Sequence, residues 1–296
     1  MSQKVTLGLV QMTCVEDPKK NLEKAVLKIK EAAKKGAQIV SLQELFTSQY
    51  FCQTNDDKFF ALAESIPGPS TEVLSAVAKE CGVVVVASLF ECVGAGLPRP
   101  GEETSPLQYF NTACVLDADG KFLGKYRKIH IPDDLPNYYS ELYYFKPGDM
   151  GFPIFETKFA KIGIQVCWDQ WYPEGSRSLA LEGAEIIFYP TAIGWPDTQR
   201  DQEIGPAEFD AWTTIQRGHA ISNGIFVAVT NRTGKENHLS FWGGTFVADP
   251  LGRVLKRASH DQEEILIVDC DLEKLPEVRK DWPFLTCRRP DTYKVK

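Results

Sequence analysis

Short apolar runs alternate with amphipathic stretches along the whole chain. "VTLGLVQM" (5–12) is an apolar run of strand length, and "NLEKAVLKIKEAAKKG" (21–36) sets Leu22, Val26, Ile29 and Ala33 at helical spacing before a closing glycine. "AQIVSLQE" (37–44) predicts a second strand, and Pro69-Ser70-Thr71-Glu72 opens a helix predicted over 70–80. Four consecutive valines begin "VVVVASL" (83–89), the mark of a strand buried on both faces. "YFNTACVLDADGKFLGKYRKIHI" (109–131) predicts a hairpin turning at Asp119-Gly120, preceded by a polar, proline-rich surface insertion at 93–106.

The second half echoes the first. Strands are predicted at "AKIGIQVCW" (160–168), "EIIFYPT" (185–191) and "IFVAVTN" (225–231), with helices between them at 173–184 and 206–224. A hairpin follows in "GGTFVADPLGRVL" (243–255), then a last strand, "EEILIVDCDL" (263–272). Two rounds of strand and helix, each followed by hairpins and joined without a flexible linker, predict one mixed α/β domain over residues 1–296.

Charge narrows the partners. Lys and Arg number 33 against 40 Asp and Glu, a net charge of −7, and no basic run could follow a phosphate backbone, so neither nucleic acid nor an anionic membrane is expected. No apolar run approaches the ~18–20 residues of a membrane span. "MSQKVTLGLVQMT" lacks the charged-then-apolar pattern of a secretory signal, which places the expected location in the cytoplasm. The eight cysteines stand singly, none in a CxxC, as suits a reducing compartment, and the four histidines form no HxxxH or HExxH, so no metal site is expected.

Three positions stand out chemically. Cys167 falls at the end of an apolar run, just before a helix opened by Pro173-Glu174, where α/β sheets collect active-site groups and where a helix N-terminus would favour a thiolate. A buried core cysteine fits the same features. Glu44 in "SLQELF" and Lys128 in "KYRKIHIP" also follow strand ends, and each could simply be a charge reaching solvent.

In order and spacing, Glu44, Lys128 and Cys167 in "IGIQVCWDQWYPE" resemble the Glu-Lys-Cys triad of the nitrilase superfamily of carbon-nitrogen hydrolases. The similarity extends to "AEIIFYPTAIG", "GHAISNGIFVAVTNR", "GGTFVADPLGRVL" and "FLTCRRPDTY". It implies a four-layer αββα sandwich, assembly into a homo-oligomer, and hydrolysis of a non-peptide C–N bond without a cofactor. It further implies that Glu44 is the general base, Cys167 the nucleophile, and Lys128 with the backbone N–H of Trp168 the oxyanion site. Glu141 matches a second family carboxylate, which the resemblance implies is part of the catalytic set, positioning Lys128 and the substrate or assisting proton transfer.

Relatives that act on N-carbamoyl amino acids carry an arginine shortly after the nucleophile, suited to gripping a carboxylate. Here Trp168-Asp169-Gln170-Trp171 stands instead, and the loop "PDDLPNYYSELYYF" interleaves acids with aromatic rings. Such a lining suits a small cationic N-carbamoyl amine. Trp168, Asp169, His130 and Tyr143 are the expected substrate-binding residues. Within the family the combination is similar to enzymes that hydrolyse N-carbamoylputrescine to putrescine, carbon dioxide and ammonia in polyamine synthesis from agmatine. Another carbamoyl compound such as N-carbamoyl-β-alanine, an ω-amide, a nitrile, or a non-catalytic binding role on the same fold are the competing expectations.

Overall fold

Apolar runs that point alternate residues to opposite faces need cover on both sides, and the computed structural model, which describes residues 4–94, 106–197 and 203–294, supplies it with four layers. The first sheet takes β1 (Lys4–Gln11), β2 (Ile39–Leu42), β3 (Val84–Val93), β4 (Gln108–Leu116) and β5 (Phe122–Arg127). Helix α1 (Pro18–Lys34) follows β1, and α2 (Pro69–Cys81) precedes β3. A minimal antiparallel pair, β6 (Asp133–Asp134) and β7 (Tyr139–Ser140), lies in the connection to the second half.

The second sheet begins with β8 (Ile154–Glu156) and β9 (Lys161–Ile164), then runs through α3 (Pro173–Leu181) to β10 (Ile186–Thr191). After β11 (Gly194–Pro196), helix α4 (Ile204–Asn223) leads to β12 (Phe226–Asn231). The hairpin of β13 (Thr233–Glu236) and β14 (Leu239–Trp242) joins β11 in a three-stranded side sheet, and β15 (Phe246–Ala248) with β16 (Val254–Arg257) completes the second main sheet. The chain then crosses back: β17 (Glu264–Asp271) pairs antiparallel with β1, and α5 (Lys274–Asp281) follows it. The two six-stranded sheets have the orders β17-β1-β2-β3-β4-β5 and β16-β15-β12-β10-β9-β8.

Leu7, Leu9, Ile39, Val84 and Val86 face Ile162, Ile164, Ile186 and Phe188 of the opposite sheet. Their strand neighbours Val10, Val40 and Val85 turn outward against Ala25 and Ile29 of α1 and Leu74 and Val77 of α2. On the far side, Ile187, Val227 and Val229 pack with Leu179 of α3 and Trp212 and Ala220 of α4. This is the αββα order expected from the family resemblance, and all four valines at 83–86 are buried as their pattern predicts. The hairpin at Asp119-Gly120 is also where the sequence puts it, between β4 and β5. Of the insertion expected at 93–106, residues 95–105 lie outside the described residues. Among the described residues, no helix is long and apolar enough to cross a membrane.

Two strand ends differ from expectation. The run at 37–44 stops pairing at Leu42, and the run at 160–168 stops at Ile164. The chain turns sharply there: Leu45 has φ 48° and Cys167 φ 44°, conformations that L-residues with a Cβ avoid. Glu44 and Cys167 therefore sit on turns beyond the strands.

Candidate active site

The turns beyond β2 and β9 and the end of β5 converge in the interior, with Glu44 and Lys128 0% exposed and Cys167 3%. Lys128 follows β5 directly, and its backbone N–H donates to Asn111 O at 2.8 Å, fixing the side chain's origin. Lys128 Nζ donates to Glu44 Oε1 at 2.9 Å and to Glu141 Oε1 and Oε2 at 2.8 and 2.6 Å. Asn111 Nδ2 also donates to Glu44 Oε1 at 2.7 Å, and Tyr50 OH donates to Glu141 Oε1 at 2.7 Å. Glu44 Oε2 is buried with no hydrogen-bond partner among the described residues. One oxygen of Glu44 is thus spent on holding the group, and the other is open to a proton.

Electrostatics divides the roles further. Burial opposes the charge of Lys128, but Glu141, Glu44 and Cys167 around it outweigh burial and raise its pKa well above the ordinary lysine value, so it stays an ammonium. Burial pushes the Glu141 carboxyl up, with Lys128 opposing and Glu44 reinforcing the shift. The Cys167 thiol is raised well above its ordinary value, first by burial and then by Glu44. The thiolate expected from a nearby helix N-terminus is not what the structure favours: α3 begins six residues later, and desolvation dominates. Cys167 instead opens a 3-10 turn, Cys167–Trp171, whose strained first residue costs ~1–3 kcal/mol and must be held by its surroundings. The N–H of Trp168, near the start of that turn, has no acceptor within it.

The turn carrying Glu44 is clamped by a residue that belongs to no catalytic motif of the sequence. Arg232, fully buried just after β12, donates from Nη2 to Glu44 O at 3.0 Å and Leu45 O at 2.9 Å, and from Nη1 to Ser48 O at 2.8 Å. Its charge is met by Glu236 Oε1 at 2.8 Å. An arginine straight after the apolar run "IFVAVTN", with an acid four residues on, is the signal that could have found it.

Beside Cys167 lies a cavity of about 240 Å³, below the ~300–1,000 Å³ of pockets for drug-sized ligands, so it suits a small molecule. Trp168, Trp171, Trp242, Tyr139 and Ile193 supply apolar walls; Asp134, Glu141 and Glu208 supply acids; its described lining has no lysine or arginine. Of the expected substrate-binding residues, Trp168 lines the cavity, and the other three do not. Asp169 is buried and fully engaged: Tyr126 OH and Val166 N–H donate to Oδ2 at 2.7 and 3.0 Å, and His130 N–H donates to Oδ1 at 2.9 Å. It braces the turn of Cys167 from within. His130 Nδ1 lies 2.7 Å from the same Oδ1, with its ring stacked 3.7 Å from Tyr172. Tyr143 is 40% exposed and donates its hydroxyl to Asp57 at 2.6 Å. Gln170, like Asp169, points inward, accepting from Trp212 Nε1 and Gln216 Nε2 of α4 at 2.8 Å each. Glu208 was missed because an acid on a helix reads as solvated surface. Among the described residues, no group of three or more His, Cys, Asp and Glu side chains could hold a metal ion.

Known proteins match this arrangement along almost its full length. The carbon-nitrogen hydrolase family model matches residues 6–280. An N-carbamoylputrescine amidase of Solanum lycopersicum is 41% identical over 300 residues, covering 98% of this chain and 94% of its own. A citrullinase of Francisella tularensis is 36% identical over 294 residues, covering 98% and 96%. The crystal structure of a carbon-nitrogen hydrolase from Helicobacter pylori superimposes with a TM-score of 0.89 at 41% identity, covering 98% of this chain and 97% of that one. The chain belongs to the carbon-nitrogen hydrolase family and is a hydrolase of non-peptide carbon–nitrogen bonds.

Proposed function

We propose that the protein hydrolyses N-carbamoylputrescine to putrescine, carbon dioxide and ammonia, with Cys167 as nucleophile, Glu44 as general base, and Lys128 with the Trp168 N–H as the oxyanion site. The observation that carries the substrate is the cavity beside the thiol: two acids with no ion-pair partner among the described residues, Asp134 and Glu208, an aromatic wall, and no lysine or arginine in its described lining. A carboxylated substrate would set like charges together in a half-closed space, at a cost of several kcal/mol, whereas an ammonium on an alkyl stem meets acids and ring faces. The relative from Solanum lycopersicum supports the same substrate.

Glu44 Oε2 takes the thiol proton as Sγ attacks the carbamoyl carbon. The tetrahedral oxyanion is held by Lys128, whose ammonium is fixed by two carboxylates and turns toward the oxyanion one of the two N–H groups it gives to Glu141; a donor so placed contributes ~3–4 kcal/mol. The adduct collapses by expelling one amine, which leaves with the proton from Glu44. Glu44 then draws a proton from water as that water attacks the carbon of the thiocarbamate left on Cys167. Cys167 departs as the thiol, and the carbamic acid released breaks down to carbon dioxide and the second amine. Glu141 keeps Lys128 in register throughout. The family resemblance further supports a cytoplasmic homo-oligomer that supplies putrescine for polyamine synthesis.

The test is ammonia release by the purified protein from N-carbamoylputrescine, N-carbamoyl-β-alanine, citrulline, an ω-amide and a nitrile. The expected kcat/KM for N-carbamoylputrescine exceeds that for either carboxylated compound by about 100-fold or more. A preference for N-carbamoyl-β-alanine or citrulline would overturn the substrate, and activity left unchanged in a folded Cys167→Ala variant would overturn the mechanism.

A further inference from the structure

The three acids of the cavity differ in what already occupies them. Glu141 is bound to Lys128 and Tyr50. Asp134, on β6, accepts Asn137 Nδ2 at Oδ2, 2.8 Å away. Glu208, in the second turn of α4, has no hydrogen-bond or ion-pair partner among the described residues, and it is half-buried. One turn along the helix, Ala211 also lines the cavity, where a small side chain leaves the carboxylate unobstructed. An acid partly withdrawn from water with no cation beside it is a standing cost, relieved when a cation binds. Burial accordingly pushes the Glu208 carboxyl above its ordinary range.

We infer that Glu208 is the specificity-determining residue that receives the distal ammonium of the substrate, with Asp134 as an auxiliary carboxylate. This rests on the N-carbamoylputrescine reading and deepens it. The carbamoyl end must lie at Cys167 for chemistry, and the apolar walls of Trp168, Trp171 and Trp242 suit the alkyl stem. Of the lining acids, Glu208 has both oxygens uncommitted among the described residues, so it can accept a charge-assisted hydrogen bond without surrendering another. Its place on a helix fixes its reach, so it measures the length of the substrate as well as its charge.

The test compares N-carbamoylputrescine with N-butylurea, which has the same carbon chain and no charge, and with N-carbamoylcadaverine, one methylene longer. Glu208→Gln is expected to lower kcat/KM for N-carbamoylputrescine by about 10- to 100-fold, mainly through KM, the range for losing one charge-assisted hydrogen bond. Its kcat/KM for N-butylurea should stay within about 2-fold of wild type, the size of change expected where no contact is lost. Glu208→Asp keeps the charge but withdraws it by one methylene, so preference should move toward N-carbamoylcadaverine; this variant decides the matter if Glu208→Gln does not fold. If wild type fails to hydrolyse N-carbamoylputrescine, the proposed function falls. If wild type hydrolyses it and the variants keep wild-type selectivity, or lose activity equally on charged and neutral substrates, Glu208 is not the anchor and the proposed function stands.

Discussion

Cys167 is held as a thiol, and in the proposed mechanism this sets when the chemistry starts. Its pKa is raised, so the sulfur carries its proton at neutral pH, and attack waits for a base and an electrophile together. A raised pKa means that the reactive thiolate is scarce below the ordinary thiol range and grows as pH climbs beyond it. We expect the rate of inactivation by methyl methanethiosulfonate to rise continuously from pH 6 to about pH 9 without levelling, and to be slower at pH 7 than for free cysteine. A plateau below about pH 8 would show a stored thiolate and remove the need for Glu44 as base. Glu44, Lys128 and Cys167 were marked in the sequence by falling at the ends of predicted strands, but a core cysteine and charges reaching solvent fitted the same pattern, and the family resemblance drew the three together. Glu141 needed the family resemblance, since an acid in a polar loop carries no signal of its own. Asp169, His130 and Tyr143 were misplaced for a related reason. Outside a helix or strand no periodicity tells which way a side chain points, and Asp169 points inward to brace the turn that presents Cys167.

Between strands, the decisive element is the turn after β2, because it fixes Glu44 while Leu45 holds φ 48°. Backbone in that region returns to an extended form unless something over-determines it. Arg232 does so from the neighbouring sheet, reaching three carbonyl groups of the turn with one planar fork, while Ser88 Oγ accepts the Leu45 N–H at 3.2 Å. Lysine would keep the charge opposite Glu236 but could not span those carbonyls. Arg232→Lys is therefore expected to lower kcat by about 10-fold or more with a smaller change in KM, since misplacing Glu44, the proposed base, costs rate before binding. Arg232→Met leaves Glu236 buried without its cation and should destabilise the fold by about 3–5 kcal/mol. Steady-state kinetics and thermal unfolding of both variants check the pair, and wild-type kcat in Arg232→Lys would show that the turn holds itself. Strands and helices of the two repeats could be read from periodicity, but the side sheet of β11, β13 and β14 could not, because three- and four-residue strands are too short to show one.

At the scale of the molecule, the pairing that no local pattern encodes is β17 with β1. The sequence marks "EEILIVDCDL" as a strand but not its address, which lies about 260 residues back in the chain, across the completed second sheet. Its alternation fits that address: Leu266, Val268 and Cys270 enter the core between the sheets, while Ile265 and Ile267 face the α1 and α2 layer. Burying Leu266, Val268 and Leu272 at ~1.5–3 kcal/mol each amounts to about 5–9 kcal/mol, comparable with the whole stability of a typical domain at ~5–15 kcal/mol. The strand also covers the edge of β1, which would otherwise offer eight residues for pairing with other chains. Because the last strand closes the first sheet, neither half has a finished core by itself, and we propose that the chain folds as one cooperative unit. A chain ending at residue 262 should accordingly lose near-UV circular dichroism and aggregate. The full-length protein should show one thermal transition, coincident by far-UV circular dichroism and tryptophan fluorescence. All six tryptophans lie at or beyond residue 168, so they report on the second half alone, whereas backbone dichroism reports on both. Two separated transitions, or a truncated chain that keeps its near-UV spectrum, would mean that the second sheet stands without the closure β17 provides.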